Sequence, residues 1–162
     1  MQMSEEKKKK LSMIVFSGDM DKLFAAFIVA SGAAAVNMEV VMFFTFWGLN
    51  ALKKEVNTGK GLLGRMMGLI NGGGINKVNP SKYGFGGMGR VMFARMMKDK
   101  NVSSLDEMRQ LCIDLGVKMY GCQMTMDVME IPKEAMIDTV GEPVGVGFFI
   151  EQSQQSETTL FI

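Results

Sequence analysis

Apolar and polar positions along the chain fall into short runs that change period several times. Leu11-Ser-Met-Ile-Val-Phe16 is an apolar run closed by Ser17-Gly18-Asp19, the pattern of a strand entering a turn. Asp19 then suits the N-cap of a helix whose Leu23, Phe24, Phe27, Ile28 and alanine-rich residues 30–35 predict a largely buried element. Glu39-Val-Val-Met-Phe-Phe-Thr45 is continuously apolar rather than alternating, as expected of a strand buried on both faces. A short helix is expected after Trp47-Gly48, with Leu49 and Leu52 inward and Lys53-Lys54-Glu55 outward.

The second half resumes the rhythm after a break. Residues 91–98 read as helical, and Ser103 or Ser104 caps a helix with Leu105, Met108, Leu111, Cys112 and Leu115 on one stripe. Gly116 ends that helix, Val117-Lys-Met-Tyr120 reads as the next strand, and Gly121-Cys122 follows at once. A helix is expected from Pro132 through Ile137, another near residues 144–154, and a closing strand at residues 158–162. Strands alternating with helices predict a three-layer α/β/α sandwich with a mainly parallel sheet. In such folds ligands gather beyond the carboxyl ends of the strands. That edge is expected to hold Ser17-Gly18-Asp19, Thr45-Phe46-Trp47 and Gly121-Cys122.

Between these halves, residues 56–89 break the pattern. Eleven of the nineteen glycines lie between Gly59 and Gly89, with Met66, Met67 and Met88 among them. GxGxxG occurs at Gly59/Gly61/Gly64 and at Gly84/Gly86/Gly89, but neither copy follows a predicted strand, as the dinucleotide fingerprint requires. The segment is therefore expected to be an irregular excursion that orders against a partner or a neighbouring subunit. With 162 residues and one continuous α/β pattern, the chain reads as a charged, disordered tail at residues 1–10 and a single domain at 11–162 carrying this excursion.

Charge sharpens the picture. The formal net charge is only +1, yet residues 53–100 carry ten basic and two acidic side chains, whereas residues 101–162 carry three basic and ten acidic. From Lys60 to Lys98 there are seven cations and no acid. Phosphate contacts are conceivable there, but no nucleic-acid motif accompanies the charge and nucleic acid is not expected as a partner. Pairing with the chain's own acidic region, within or between subunits, is the simpler expectation. The longest uncharged stretch, residues 23–38, is shorter than the ~20 apolar residues a span needs, and membrane contact is the lesser expectation. The basic start lacks the apolar core of an export signal, so a reducing cytoplasm is expected.

Composition removes whole classes of chemistry. There is no histidine, which excludes Ser-His-Asp and Cys-His nucleophile pairs and the HExxH zinc site. The two cysteines do not stand as CxxC. Eighteen methionines, with Met119, Met124, Met126 and Met129 close to Cys122, raise a Cu(I) reading. Methionine is equally an ordinary filler of irregular cores, and neither metal nor cofactor is expected. Cys112 falls on the buried stripe of its helix and reads as a core residue. Cys122 falls at the sheet's carboxyl edge where a new helix begins, a place where backbone N–H groups favour a thiolate. The two lie about 15 Å apart along the strand direction in this arrangement, so no disulfide is expected between them.

Phe43-Phe-Thr-Phe-Trp-Gly-Leu49, Gly116-Val-Lys-Met-Tyr-Gly-Cys-Gln-Met-Thr-Met-Asp-Val-Met129 and Thr158-Thr-Leu-Phe-Ile162 resemble the DsrE/F-like sulfur-relay family. The nearer branch is the larger one, labelled peroxiredoxin-like or sulfurtransferase. The resemblance spans residues 11–162. It implies a homo-oligomeric α/β protein whose cysteine carries sulfane sulfur as a persulfide, with donor and acceptor proteins or small thiols as partners. By position Cys122 is that cysteine, with Gly18, Asp19, Thr45, Trp47, Gly121, Gln123 and Met124 as its expected surroundings. Thr125 stands where the family more often has Ser, and Glu130 where it more often has Gly. The rival reading is a non-catalytic oligomeric binding module whose basic excursion docks a partner or membrane surface and whose cysteines are inert.

Overall fold

The computed structural model describes residues 8–70, 73–82 and 84–162. Four parallel strands form its sheet: β1 (Lys10–Val15), β2 (Glu39–Phe44), β3 (Lys118–Gly121) and β4 (Thr158–Phe161), in the order β3-β2-β1-β4. Six α-helices accompany them: α1 (Met20–Ala35), α2 (Leu62–Ile70), α3 (Met88–Asp99), α4 (Leu105–Asp114), α5 (Gln123–Val128) and α6 (Val146–Gln154). Register places Leu11 beside Val40 and Thr158, and Met42 beside Met119, so paired residues share a face and successive residues of each strand alternate between faces.

One face carries the main core. Met13 and Val15 of β1, Met42 and Phe44 of β2, and Met119 of β3 meet Phe24 and Phe27 of α1 and Leu105 and Cys112 of α4. Phe27 and Phe44 are fully buried with ring centroids 6.2 Å apart, a pair that adds about 0.5–1.5 kcal/mol beyond its area burial. The other face is thinner. There, among the described residues, α6 alone of the α-helices sets a buried side chain, Phe149, against Phe43 and Cys122. Nearer the amino ends this face is polar, with Lys10 Nζ donating to Gln152 Oε1 at 2.6 Å and Ser12 Oγ bonded to Ser156 Oγ at 2.6 Å. The three-layer arrangement predicted from the pattern is therefore present, with unequal outer layers.

Local details depart from the pattern where tertiary contacts outweigh it. The strand β1 takes in Lys10, which the sequence assigned to the tail; residues 1–7 of that tail lie outside the described residues. The segment after Thr45 is only a 3₁₀ turn, Phe46–Ala51, and Lys53 is buried rather than outward. Lys53 bridges to Met136, and burial together with the Lys77 charge pushes its ammonium pKa down. The helix expected from Pro132 to Ile137 is a 3₁₀ turn, Lys133–Ala135, after which Met136 is extended. On α4 a full capping box at Ser104 and Glu107 sets the start, but Leu111 and Leu115 face solvent. On α1, Ile28 and Val29 are exposed; Asp19 is the N-cap residue as expected, but its carboxylate accepts from Ser17 and Lys22 and not from a helix amide. The excursion is more regular than expected: α2 lies within it, with 3₁₀ turns at Ile75–Lys77 and Phe85–Gly87, and α3 starts at its end, three residues before the helix expected at 91–98.

Candidate functional site

Parallel pairing brings the carboxyl ends of β1, β2 and β3 to one edge, and backbone bonds lock the loops that leave it. Thr45 N–H donates to Val15 O at 3.0 Å, Gly48 N–H to Phe16 O at 2.9 Å, and Cys122 N–H to Phe44 O at 2.8 Å. Two glycines permit the close approach. A Cβ at Gly18 would stand 2.5 Å from the Trp47 carbonyl oxygen, and one at Gly48 would overlap the Val15 carbonyl. Phe46 adopts φ +45°, a left-handed conformation that costs a non-glycine residue of order 1 kcal/mol or more.

Cys122 is the residue between β3 and α5 and occupies the N-cap position of that helix. Its carbonyl accepts from Met126 N–H at 3.0 Å, and the next amide, Gln123 N–H, donates to Val144 O at 3.0 Å. The thiol takes no part in capping. Continuing the parity of Tyr120, Cys122 falls on the thin face of the sheet, in a small cluster with Phe43 and Phe149, flanked by Ile14, Tyr120 and Val144. The rings of Phe43 and Phe149 stack at 5.6 Å, and Cys122 is 5% exposed beside them. Thr125, one turn into α5, bonds Thr45 through their hydroxyls at 2.9 Å and so ties the helix to the end of β2.

Cys112 differs in every respect. It lies on the opposite side of the sheet, fully buried in the main core, with its thiol donating to Phe27 O at 3.4 Å. Burial pushes its pKa up to about 11, which keeps it a neutral thiol near pH 7. Both cysteines are free, and the sheet stands between them.

The expected surroundings of Cys122 divide into separate places. Gly18, Asp19 and Trp47 line a cleft of about 390 Å³ at the end of β1, together with Lys22, Asn50 and Lys77. Asn50 Oδ1 is buried there without a hydrogen-bond partner. β2 stands between β1 and β3, which are about 10 Å apart, and Cys122 is not among the residues that line that cleft. Gly121 borders a different cleft of about 310 Å³, beside Met126 and Met136. Gln123 donates to Asp127 Oδ1 at 2.7 Å along the outer face of α5, and Met124 is exposed. Thr45 touches the site through Thr125. The methionines near Cys122 in sequence do not converge either: Met119, Met126 and Met129 belong to the main core, on the other side of the sheet from Cys122. Among the described residues no group of three His, Cys, Asp or Glu side chains is placed to hold a metal.

Phe43, Phe149 and Thr125 are the neighbours that sequence reasoning passed over. Phe43 was legible as the odd-parity partner of Phe44, pointing to the same face as Cys122. Phe149 was not, because nothing in its own helix says which thiol it covers. Glu130 adds a further contact. It sits at φ +51°, where glycine is favoured, and its carboxylate accepts from Lys60 N–H at 2.5 Å and Gly61 N–H at 3.2 Å. These bonds hold the carboxyl below its ordinary pKa and pin the start of the excursion beside the end of α5.

Comparison with known proteins agrees with this architecture. The chain is 40% identical over 158 residues to the sulfur carrier protein DsrE2 of Allochromatium vinosum, covering 95% of this chain and 98% of that one. It is 38% identical over 159 residues to the protein YrkE of Bacillus subtilis, covering 97% and 99%. Among solved structures it resembles the ychN protein of E. coli, with a TM-score of 0.56 at 11% identity over 95% of this chain and 99% of that one. It also resembles MTH1491 of Methanobacterium thermoautotrophicum, with a TM-score of 0.53 at 11% identity over 94% and 99%. These two likenesses bear on the fold alone. Residues 7–161 match the DsrE/DsrF/DrsH-like family, and the chain belongs to that family.

Proposed function

We propose that this chain is a sulfur-relay protein in which Cys122 carries sulfane sulfur as a persulfide and passes it to an acceptor thiol. The likeness to a protein named a sulfur carrier supports the general role. The observation that carries the assignment to Cys122 is the contrast between the thiols: one stands at the carboxyl edge behind a thin aromatic cover, the other is sealed in the core. In the loading step the Cys122 thiolate attacks the outer sulfur of a donor R–S–S⁻. The donor S–S bond breaks, R–S⁻ leaves, and Cys122–S–S⁻ forms. In the second step an acceptor thiolate attacks that outer sulfur and releases the Cys122 thiolate. No redox partner is needed, and no imidazole has to move a proton.

The cover has a consequence for access. Phe149 and Phe43 must part, or α6 must lift, before a donor sulfur reaches Cys122. The thin face makes this a local event, since α6 can move without opening the α1/α4 core. A reducing cytoplasm and a homo-oligomeric assembly complete the reading. The test is intact-mass analysis after incubation with inorganic polysulfide. The expected result is a reducible gain of sulfur that survives Cys112→Ser and is lost in Cys122→Ser. A gain that survives Cys122→Ser and is lost in Cys112→Ser overturns the assignment.

A further inference from the structure

The cleft at the end of β1 is a built site apart from the thiol. Three stretches of chain meet there: the turn after β1, the 3₁₀ segment Phe46–Ala51, and residues 77–79 of the excursion. The last of these is fastened across the start of α1. Met20 N–H donates to Asn79 O at 2.8 Å, and Asp21 accepts from Ser81 N–H at 2.8 Å and from Ser81 Oγ at 2.7 Å. Burial separates floor from rim: Ser17, Asn50 and Val78 are buried, whereas Phe16, Lys22, Trp47 and Lys77 are exposed.

The floor lacks a donor. Asn50 is 9% exposed, yet its Oδ1 has no hydrogen-bond partner among the described residues. Buried polar atoms in native proteins are almost always paired, so an orphaned acceptor lining a cleft marks the place of a donor from outside the chain. Ser17 does not supply it, since its Oγ donates to Asp19 Oδ2 at 3.0 Å. The rim carries the opposite requirement. Lys22 and Lys77 against Asp19 leave the lining one net positive charge. Lys22 Nζ is held by Asp19 Oδ2 at 2.8 Å. Lys77 does not meet the acidic half of the chain as its sequence led one to expect, and it forms no ion pair among the described residues. Its charge bears instead on the buried Lys53 ammonium, so an anion beside Lys77 offsets a repulsion already present in the fold. The 16-residue helix α1 adds its positive end, which no side chain caps, at Gly18, Asp19 and Lys22.

We propose that this cleft binds a small carboxylate carrying a neutral O–H or N–H donor on the adjacent carbon. The donor meets Asn50 Oδ1, the carboxylate lies between Lys77 and the amino end of α1, and an apolar body rests against Phe16 and Trp47. At about 390 Å³ the cleft has room for an acid of roughly ten to fifteen non-hydrogen atoms. One net positive charge in the lining suits a monoanion better than a phosphate dianion. The Asp19 carboxylate, already shared between Ser17 and Lys22, is a poor partner for an ammonium group, which sets a free amino acid behind a hydroxy acid or an N-acylated amino acid. The proposal does not depend on the persulfide reading, because Cys122 does not line this cleft.

The test is isothermal titration calorimetry of the full chain with 3-phenyllactate, N-acetylphenylalanine, 3-phenylpropionate and inorganic phosphate. The hydroxyl of the first or the amide of the second is expected to give binding about tenfold tighter than 3-phenylpropionate, which keeps ring and acid without a donor. Whichever of the two binds more tightly names the source of the donor, and phosphate is expected to bind more weakly than both. Asn50→Leu removes the orphaned acceptor at similar volume, so the melting temperature should hold or rise while the advantage over 3-phenylpropionate disappears. Lys77→Gln should lower the affinity for the organic acids about fivefold with the melting curve in place, because Lys77 is exposed. Absence of binding by both donor-bearing acids overturns the proposal and leaves Asn50 Oδ1 to a buried water. Equal binding of 3-phenylpropionate or phosphate also overturns it, as does binding that both substitutions leave unchanged.

Discussion

Replacing Phe149 tests whether α6 is the gate over Cys122. The Phe149 side chain is buried, stacks on Phe43 at 5.6 Å and closes the small cluster around the thiol. Truncation of a buried Phe to Ala costs about 3–5 kcal/mol, and the lower end applies to a cover with so few buried neighbours. At about 2–4 °C per kcal/mol for a chain of this size, a loss of about 3 kcal/mol lowers the melting temperature by roughly 6–12 °C. Some of that loss weakens the local closure of α6, so the open population rises between tenfold and about a hundredfold. The assay is alkylation of the native protein by iodoacetamide, read by peptide mass spectrometry. Cys122 in Phe149→Ala should react faster by that factor, and Phe149→Leu, which keeps much of the volume, should fall between it and the unsubstituted chain. Cys112 is the internal control, since only global unfolding exposes it; it should stay unreacted in all three. If Cys122 of the unsubstituted chain reacts as fast as a free small thiol, it has no cover. If Phe149→Ala melts lower but alkylates Cys122 no faster, the ring supports the fold without gating the thiol.

Cys112 and Glu130 give two further outcomes. With the Cys112 pKa raised to about 11 in the fold and near 9 when unfolded, the unfolded state loses its proton first, so the stability due to this thiol is complete below pH 9 and is lost between about pH 9 and 11. Urea midpoints across that range should fall more in the unsubstituted chain than in Cys112→Ala, and parallel curves refute the burial argument. Glu130→Gly relieves a left-handed residue but removes the acceptor of Lys60 and Gly61 N–H, so the melting temperature should change little while hydrogen exchange at residues 59–64 accelerates. The same acceleration should occur in the unsubstituted chain as pH falls through the lowered Glu130 pKa, and exchange that ignores both changes would mean the tether is not formed.

The layered fold was legible because period carries it. The continuous apolar run of β2 can only be buried on both faces, and it is; Ser104 with Glu107 is a capping signal readable from four residues. Where local pattern misled, long-range contacts decided. Lys53 looks like a surface lysine on its own sequence, but its backbone bridges to Met136, more than eighty residues away, and the side chain goes inward with it. Pro132 looks like a helix start, yet the same bridge draws Met136 into extended backbone.

The candidate site shows the same division. Parity places Cys122 and Phe43 on one face and Phe44 on the other, so half of the thiol's surroundings follows from counting along the strands. The other half, Phe149, depends on how α6 crosses that face, which no local period states. Glycine spacing is the counterexample, a long-range contact written locally. Gly64 and Gly68 one turn apart in an otherwise large-residue helix require a close backbone on that side, and a close backbone on that side requires Leu62, Met66 and Leu69 on the other. A hydrophobic-moment reading assigns such a helix its leucines inward, by the rule that apolar faces seek the core. The rule gives way here because Leu cannot enter a gap that a single methyl already overfills, so steric exclusion, not hydrophobicity, decides which face of α2 meets water.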